Sequence, residues 1–326
     1  MAHLTNLKKN NIDNIIKNYN ILNYVNYTPI YDGVQNSNYI INTNKKKYIL
    51  TIFEDKYVIK NIKFFLNLML FCNKYNFSCP LPLMDRNANF INFISHKPSC
   101  LFSFIEGKSF SNFTNGQIKN VGIHLAKLHL ITSDFEQKIK TRFNNHFYNN
   151  AIKIHKAYFL KHNSELTNIF NYILNDYKNL EKINLPKAII HGDLFPDNVL
   201  FNNKNEVTGF LDFYFSDINY LISDIAIVII SWCFYFNKNK KYELDYNKVN
   251  ILLNNYNNFR KISSKELDSL IILCKIYCMR FMFTRLIAKD NNYIKKNIFT
   301  KNPDEYLEKL LYFNNNIDLG MNLNYA

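Results

Sequence analysis

The chain has 326 residues, 48% of them hydrophobic and 16% aromatic, with 40 basic against 26 acidic side chains and a formal net charge of +14. Such aromatic content excludes a mostly disordered chain, and the length suffices for a substantial core shared by two lobes. The lysines are scattered among asparagines and isoleucines along the whole sequence, so the charge reads as compositional bias rather than a nucleic-acid-binding patch.

The six cysteines, at 72, 79, 100, 233, 274 and 278, show no CxxC spacing and are expected to be buried thiols. The N-terminus has no basic-then-apolar signal layout. The most apolar run, Leu221–Phe236, contains Asp224 and is too short to span a bilayer, so it reads as a core helix. These features together point to a cytoplasmic protein with no membrane partner.

Taken in order, Ile12, Ile15, Ile16 and Tyr19 fall at helical spacing. Strands are predicted at Tyr24–Tyr31, Asn38–Thr43 and Lys47–Phe53. The polar turn Asp32–Ser37, containing Gly33, could lay backbone N–H groups over phosphates or serve only as a hairpin. Val58–Tyr75 reads as one long helix, and Cys79-Pro80-Leu81-Pro82 as an extended connector.

Strands at Phe90–Ile94 and Ser99–Ile105 complete a five-stranded antiparallel sheet, and Glu106-Gly107 breaks the pattern. From there the chain reads as almost wholly helical. The expected boundary therefore divides a nucleotide-binding lobe, 1–105, from a catalytic and substrate-binding lobe, 106–326. A cleft between them is a natural nucleotide site, with Phe104–Gly107 as the hinge against adenine.

Thr114 is predicted to cap a helix reaching about Thr132, in which His129 reads as a structural histidine bonded within the core. Helices follow near Phe147–Leu160 and Glu165–Lys182. Later ones fall at Asp245–Asn254, Lys265–Ala288 and Pro303–Asn314. Ser223 is expected to cap the apolar helix, and Asp224 to brace the loop described next.

That loop lies in AIIHGDLFPDNVLFNNKNEVTGFLDF, residues 188–213. A strand ends at Ile190, His191-Gly192-Asp193 turns out of it, and Val199–Phe201 and Val207–Leu211 form a short hairpin. Asp193 and Asn198 are thus offered from one loop and Asp212 from the end of the next strand. One carboxylate can orient an attacking hydroxyl, while an amide oxygen and a second carboxylate can hold magnesium on phosphates.

HGDLFPDN followed by LDF resembles the aminoglycoside-phosphotransferase-like, or protein-kinase-like, small-molecule kinases. GVQNSNYII, YILTIFE, CPLPLMDRNAN, FIEG, LAKLH, LDFYFSD, SDIAIVIISWC and MRFMFTRL extend the resemblance nearly end to end. Together these stretches are most similar to the homoserine kinases of that group. The resemblance implies an α+β, two-lobed protein-kinase-like fold, with a small antiparallel-sheet N-lobe and a larger, mostly helical C-lobe. It implies ATP- and magnesium-dependent phosphorylation of L-homoserine to O-phospho-L-homoserine, a step of threonine biosynthesis. Asp193 would be the catalytic aspartate, His191 would hold the catalytic loop, and Asn198 and Asp212 would be the metal ligands. Gly33, Asn36, Ser37 and Asn38 would cover the phosphates, and Phe104 and Glu106 would contact adenine.

One position departs from the wider superfamily. The third strand usually carries a phosphate-contacting lysine, where this chain has Thr51; Lys45–Lys47 lie at the preceding hairpin and are expected to face solvent. A zwitterionic acceptor also needs a cation and an acid. Arg280 and Arg285 are candidate carboxylate clamps, and Asp217 with Tyr214 could line the pocket, Asp217 as the ammonium partner. Other readings are a related kinase for choline, methylthioribose or an aminoglycoside, or a catalytically dead kinase-like binding module.

Overall fold

The computed structural model describes residues 5, 7, 9–19, 21, 24–30, 36–295 and 301–316. Helix α1 (Lys9–Lys17) buries Ile12, Ile15 and Ile16, the stripe its spacing dictates. Strands β1 (Tyr24–Ile30), β2 (Asn36–Thr43) and β3 (Lys47–Phe53) pair antiparallel in sequence. Helices α2 (Lys56–Lys60), capped by Asp55, and α3 (Ile62–Lys74) then leave the sheet. Strands β4 (Asn92–Ile94) and β5 (Lys97–Ser103) complete the order β1-β2-β3-β5-β4.

Strand alternation gives the sheet two different faces. Tyr39, Ile41, Leu50, Ile52 and Leu101 pack on α1 as a small separate core, while Phe53, Cys100 and Phe102 on the other face join α3 in the main core. Thr51 has the parity of Phe53 and so shares that second face.

The rest is mostly helical. Helix α4 (Asn115–Thr132) opens with a capping box between Thr114 and Gln117, and α5 (Asn145–Ile154), α6 (Lys156–His162) and α7 (Leu166–Asn179) follow. Two small ladders are then nested: β6 (Lys187–Ile190) pairs with β9 (Asp217–Tyr220), and β7 (Val199–Phe201) with β8 (Val207–Phe210) between them. Buried helix α8 (Ile222–Trp232) leads to a hairpin of β10 (Phe234–Phe236) and β11 (Tyr242–Leu244). Helices α9 (Tyr246–Asn257), α10 (Ser264–Asp268), α11 (Leu270–Lys295) and α12 (Asp304–Asn315) finish the lobe.

Several expected elements differ in detail. The helix foreseen over Val58–Tyr75 breaks at Asn61, whose side-chain amide bonds back to Tyr57 O. That over Phe147–Leu160 breaks at His155, and that over Lys265–Ala288 at Ser269, the C-cap of α10. The apolar run is helical only to Trp232, and Phe234–Phe236 is a strand. Ser223 does not cap α8. The chain passes directly from β9 into the helix with Leu221 as N-cap and no side-chain cap bond, and Ser223 is buried in the first turn. All six cysteines are free and buried, and among the described residues no helix is long and apolar enough to cross a membrane.

Candidate active site

The nested ladders bring the polar residues together. Pairing of Ile190 with Asp217 ends β6, so the chain leaves it at His191 beside the residues that precede β9. Pairing of Val199 with Phe210 then sets Asn198 beside Leu211, whose N–H donates to Asn198 O at 2.9 Å. Asp193, Asn198 and Asp212 therefore emerge on neighbouring loops from the same small platform.

That platform is held from beneath by Asp224. Its Oδ2 accepts the His191 N–H at 2.7 Å and its Oδ1 the Gly192 N–H at 2.8 Å, while His129 Nε2 lies 3.0 Å from Oδ2. Burial opposes the Asp224 charge, but His129 and the backbone donors hold the carboxyl below its ordinary value. Asp224 thus braces the loop, and His129 sits within the core.

His191 is fully buried, and burial drives its imidazole below the usual histidine range. The network fits a neutral ring in which Nε2–H donates to Leu211 O at 2.8 Å and Nδ1 accepts the Asp193 N–H at 3.3 Å. It joins the two loops and positions Asp193. Gly192 has φ +76°, and a Cβ there would lie 2.5 Å from Phe215 O, so the turn requires glycine.

Burial pushes Asp193 up to about 7, with Arg280 pulling the other way. Asn198 Nδ2 donates to Asp193 O at 2.8 Å, which commits the amide nitrogen and leaves the amide oxygen as a ligand atom. Asp212 adopts a left-handed backbone, φ 59° and ψ 61°, and burial raises its carboxyl to about 6. Asp212 Oδ1 is buried with no hydrogen-bond partner. An orphaned carboxylate oxygen and an uncommitted amide oxygen on neighbouring loops fit a divalent cation held mainly by phosphates, since the described residues contain no cluster of three His, Cys, Asp or Glu ligands.

The acceptor candidates separate. Arg280 is 3% exposed; its Nη1 donates to Gly192 O at 2.6 Å, and Nη2 lies 3.7 Å from Asp193 Oδ1. Its Nε and Nη2 have no hydrogen-bond partner. Asp217 lines the same pocket, pushed up to about 6 by burial and bonded by the Thr141 hydroxyl at 2.6 Å. Arg285 is not in this cluster. It pairs with Glu305 at 2.7 Å and stacks on Tyr306. Tyr214 is also elsewhere, packed between Phe53 and Phe65 with its phenol bonded to Thr51, the β3 residue singled out in the sequence.

On the small lobe, Gly33 lies outside the described residues. Asn36 and Ser37 are buried at the base of the turn, Ser37 Oγ donating to Glu54 Oε1 at 2.9 Å, and Asn38 Oδ1 accepts from the Thr51 hydroxyl at 2.8 Å. Glu54 is paired in turn with Lys97 at 2.5 Å. Phe104 and Glu106 follow β5, and Lys47, exposed as expected, approaches Glu106 Oε1 at 3.7 Å and the Phe104 ring at 5.1 Å. A concavity of about 630 Å³ lies there, lined by Tyr19, Tyr48, Leu83 and the hairpin lysines. Tyr48 and Leu83 belong to the α1 side of the sheet, so this hollow is on the face opposite Thr51. Thr141 and Phe143 were missed by sequence reading, because an irregular loop carries no periodic signal.

The phosphotransferase enzyme family model matches residues 26–240. The homoserine kinase of Sinorhizobium fredii is 32% identical over 321 residues, covering 96% of this chain and 94% of that one. That of Bartonella tribocorum is 29% identical, covering 97% of each. Among solved structures, amicoumacin kinase hAmiN in complex with AMP-PNP, Ca2+ and Ami aligns with a TM-score of 0.70 at 14% identity, over 95% of this chain and 92% of that chain. Choline kinase LicA from Streptococcus pneumoniae aligns with a TM-score of 0.62 at 14% identity, over 93% and 98%. The antiparallel sheet, the nested ladders carrying HGDLFPDN and LDF, and these matches agree: the chain belongs to the phosphotransferase enzyme family and has its two-lobed α+β kinase-like fold.

Proposed function

We propose that this protein transfers the γ-phosphoryl group of ATP to the hydroxyl of L-homoserine, forming O-phospho-L-homoserine with magnesium as the cation. One juxtaposition carries the reading: Asp193 stands between the Asn198 and Asp212 loops on one side and the Arg280–Asp217 pocket on the other. Similarity to proteins named homoserine kinase over nearly the whole of both chains favours this acceptor over choline or an aminoglycoside.

In this reading the lobe 1–105 takes the nucleotide, with adenine at Phe104–Glu106 and the phosphates under the turn that ends at Asn36, Ser37 and Asn38. The lobe 106–326 takes the acceptor. Its carboxylate meets the open edge of Arg280 and its ammonium meets Asp217, which turns the hydroxyl toward Asp193. Asp193 accepts the hydroxyl proton as the new O–P bond forms and the bond to the ADP oxygen breaks. Asn198 Oδ1 and Asp212 would hold magnesium, which when bound neutralises phosphate charge. Most of the rate comes from this positioning, and proton transfer supplies a smaller share.

The test is ADP release from ATP and magnesium with L-homoserine, choline, methylthioribose or kanamycin as acceptor. Selective turnover of homoserine, lost in Asp193→Ala, is expected. Turnover of a different acceptor, or none with homoserine, refutes the assignment.

A further inference from the structure

The segment joining α4 to α5, residues 133–144, has no regular structure, yet it is fastened on both sides. On its outer side, Tyr57 Oη donates to Lys140 O at 2.7 Å, and Arg142 Nη2 meets Asp55 Oδ2 at 2.9 Å. The Arg142 guanidinium also lies 5.5 Å from the ring centres of both Tyr57 and Phe215. On its inner side, the Thr141 hydroxyl donates to Asp217 Oδ2 at 2.6 Å, and the Phe143 ring covers the Arg280 guanidinium at 4.0 Å. Two residues of one strap therefore cover the anionic and the cationic ends of the acceptor pocket.

The pocket is shut. Only about 10 Å³ remains inside it, barely room for one water. Meanwhile Arg280 Nε and Nη2 stay buried with no hydrogen bond, Nη2 facing the Asp193 carboxylate only at 3.7 Å, an arrangement that normally costs stability unless another molecule supplies the acceptors. The Thr141 hydroxyl already bonds one oxygen of the carboxylate that an ammonium would meet.

We propose that Thr141 is a specificity-determining residue: it holds Asp217 until an acceptor bearing an ammonium displaces it, and the 133–144 strap lifts to admit that acceptor. This rests on the homoserine reading above and adds the selection step. An ammonium is a charged donor and outcompetes a neutral hydroxyl for a carboxylate, whereas an alcohol without a cation gains nothing by displacing Thr141. Arg142 and Asp55 keep the strap attached while it moves. Because Asp55 follows Glu54, whose carboxylate holds Ser37, the strap is anchored next to the residues at the base of the nucleotide turn.

The experiment pairs Thr141→Val, nearly isosteric but with no hydroxyl, with Thr141→Ser, which keeps it. Steady-state constants are measured for homoserine and ATP, together with backbone hydrogen exchange of 133–144 in the free protein and with homoserine. In Thr141→Val the KM for homoserine should fall about fivefold, since no hydrogen bond is displaced on entry, while kcat and the KM for ATP stay within about twofold. The strap amides of this variant should exchange faster before any acceptor is added, and Thr141→Ser should behave as the wild type on both readouts. An unchanged or raised KM for homoserine in Thr141→Val, or strap exchange equal to wild type, overturns the proposal. A wild-type protein that does not turn over homoserine instead sinks the functional reading, and shows it before any variant is made.

Discussion

His129 and Asp224 face each other at 3.0 Å inside the helical lobe with neither side chain exposed. The geometry fits a neutral imidazole facing a carboxylate. Burial drives His129 below the usual histidine range, and its Nδ1 lies 2.6 Å from the Tyr256 hydroxyl, which donates to it and leaves the proton on Nε2 for Asp224. With the His191 and Gly192 N–H groups, Asp224 receives three donors, and the loop presenting Asp193 hangs from that one carboxylate.

Asp224→Ala should therefore be among the most destabilising single changes outside the apolar core. It leaves three buried donors unpaired, and loss of about 3–5 kcal/mol is expected from urea or thermal unfolding. Asp224→Asn restores the volume but turns an NH2 group toward one of those donors, so it should rescue only part of the loss. Unfolding midpoints equal to wild type for either variant would show that the loop does not depend on this anchor.

Asp217 should show the opposite balance. Its carboxyl is pushed up to about 6 by burial, above the value of an unfolded chain, so ionising it works against the fold. For an acid raised in this way, the penalty is absent below about pH 4, grows as pH rises through 6, and is constant above. The shift corresponds to roughly 2–3 kcal/mol. Asp217→Asn, which can still accept from Thr141, should accordingly be more stable than wild type at pH 8 and about equal to it at pH 4, while kcat/KM for homoserine falls by about a hundredfold or more. Lower stability at pH 8 would contradict the cause assigned here.

Much of this was legible in the sequence, and the parts that were not share physical reasons. The five-strand sheet and the Asp193, Asn198, Asp212 loops follow from alternation, breakers and spacing. So does the structural place of His129. Helix ends at Asn61, His155 and Ser269 escaped; at Asn61 and Ser269 the reason is that a polar residue inside an apolar periodicity does not announce that its side chain will bond back to the preceding turn. Ser223 suited a cap by residue type, but strand pairing of Lys187 with Tyr220 left no extended residue for a cap to occupy. Arg280 and Arg285 were equivalent as letters. Only packing separates the guanidinium with two nitrogens free of hydrogen bonds beside Asp193 from the one already paired with Glu305.

The two loop carboxylates should separate in their effects. Asp212→Ala removes a carboxyl whose Oδ1 has no hydrogen-bond partner within the protein but which also accepts the Tyr214 N–H, so fold stability should fall by no more than about 1–2 kcal/mol, while magnesium-dependent nucleotide affinity falls at least about tenfold by calorimetry. Asp193→Asn keeps the shape and should leave nucleotide affinity within about threefold, but lower kcat by about 100-fold to 10,000-fold. Equal losses of nucleotide binding in both variants would mean that the roles of metal ligand and proton acceptor are wrongly divided between them.

Gly192→Ala tests the geometry of the whole site through a residue with no side chain. The turn sits at φ +76°, where an L side chain is strained, and the added Cβ would meet Phe215 O at 2.5 Å, a backbone atom that cannot swing away. The chain must therefore shift at Gly192, whose carbonyl accepts from Arg280 Nη1 and whose N–H donates to Asp224. A shift there moves Arg280 and the Asp193 loop together, the proposed acceptor cation and the proposed catalytic loop. The expected outcome is a stability loss of about 1–3 kcal/mol and a drop in kcat/KM for homoserine of about tenfold or more, with nucleotide affinity near wild type. A variant as active and as stable as wild type would show that the loop tolerates the displacement and that its position does not limit turnover.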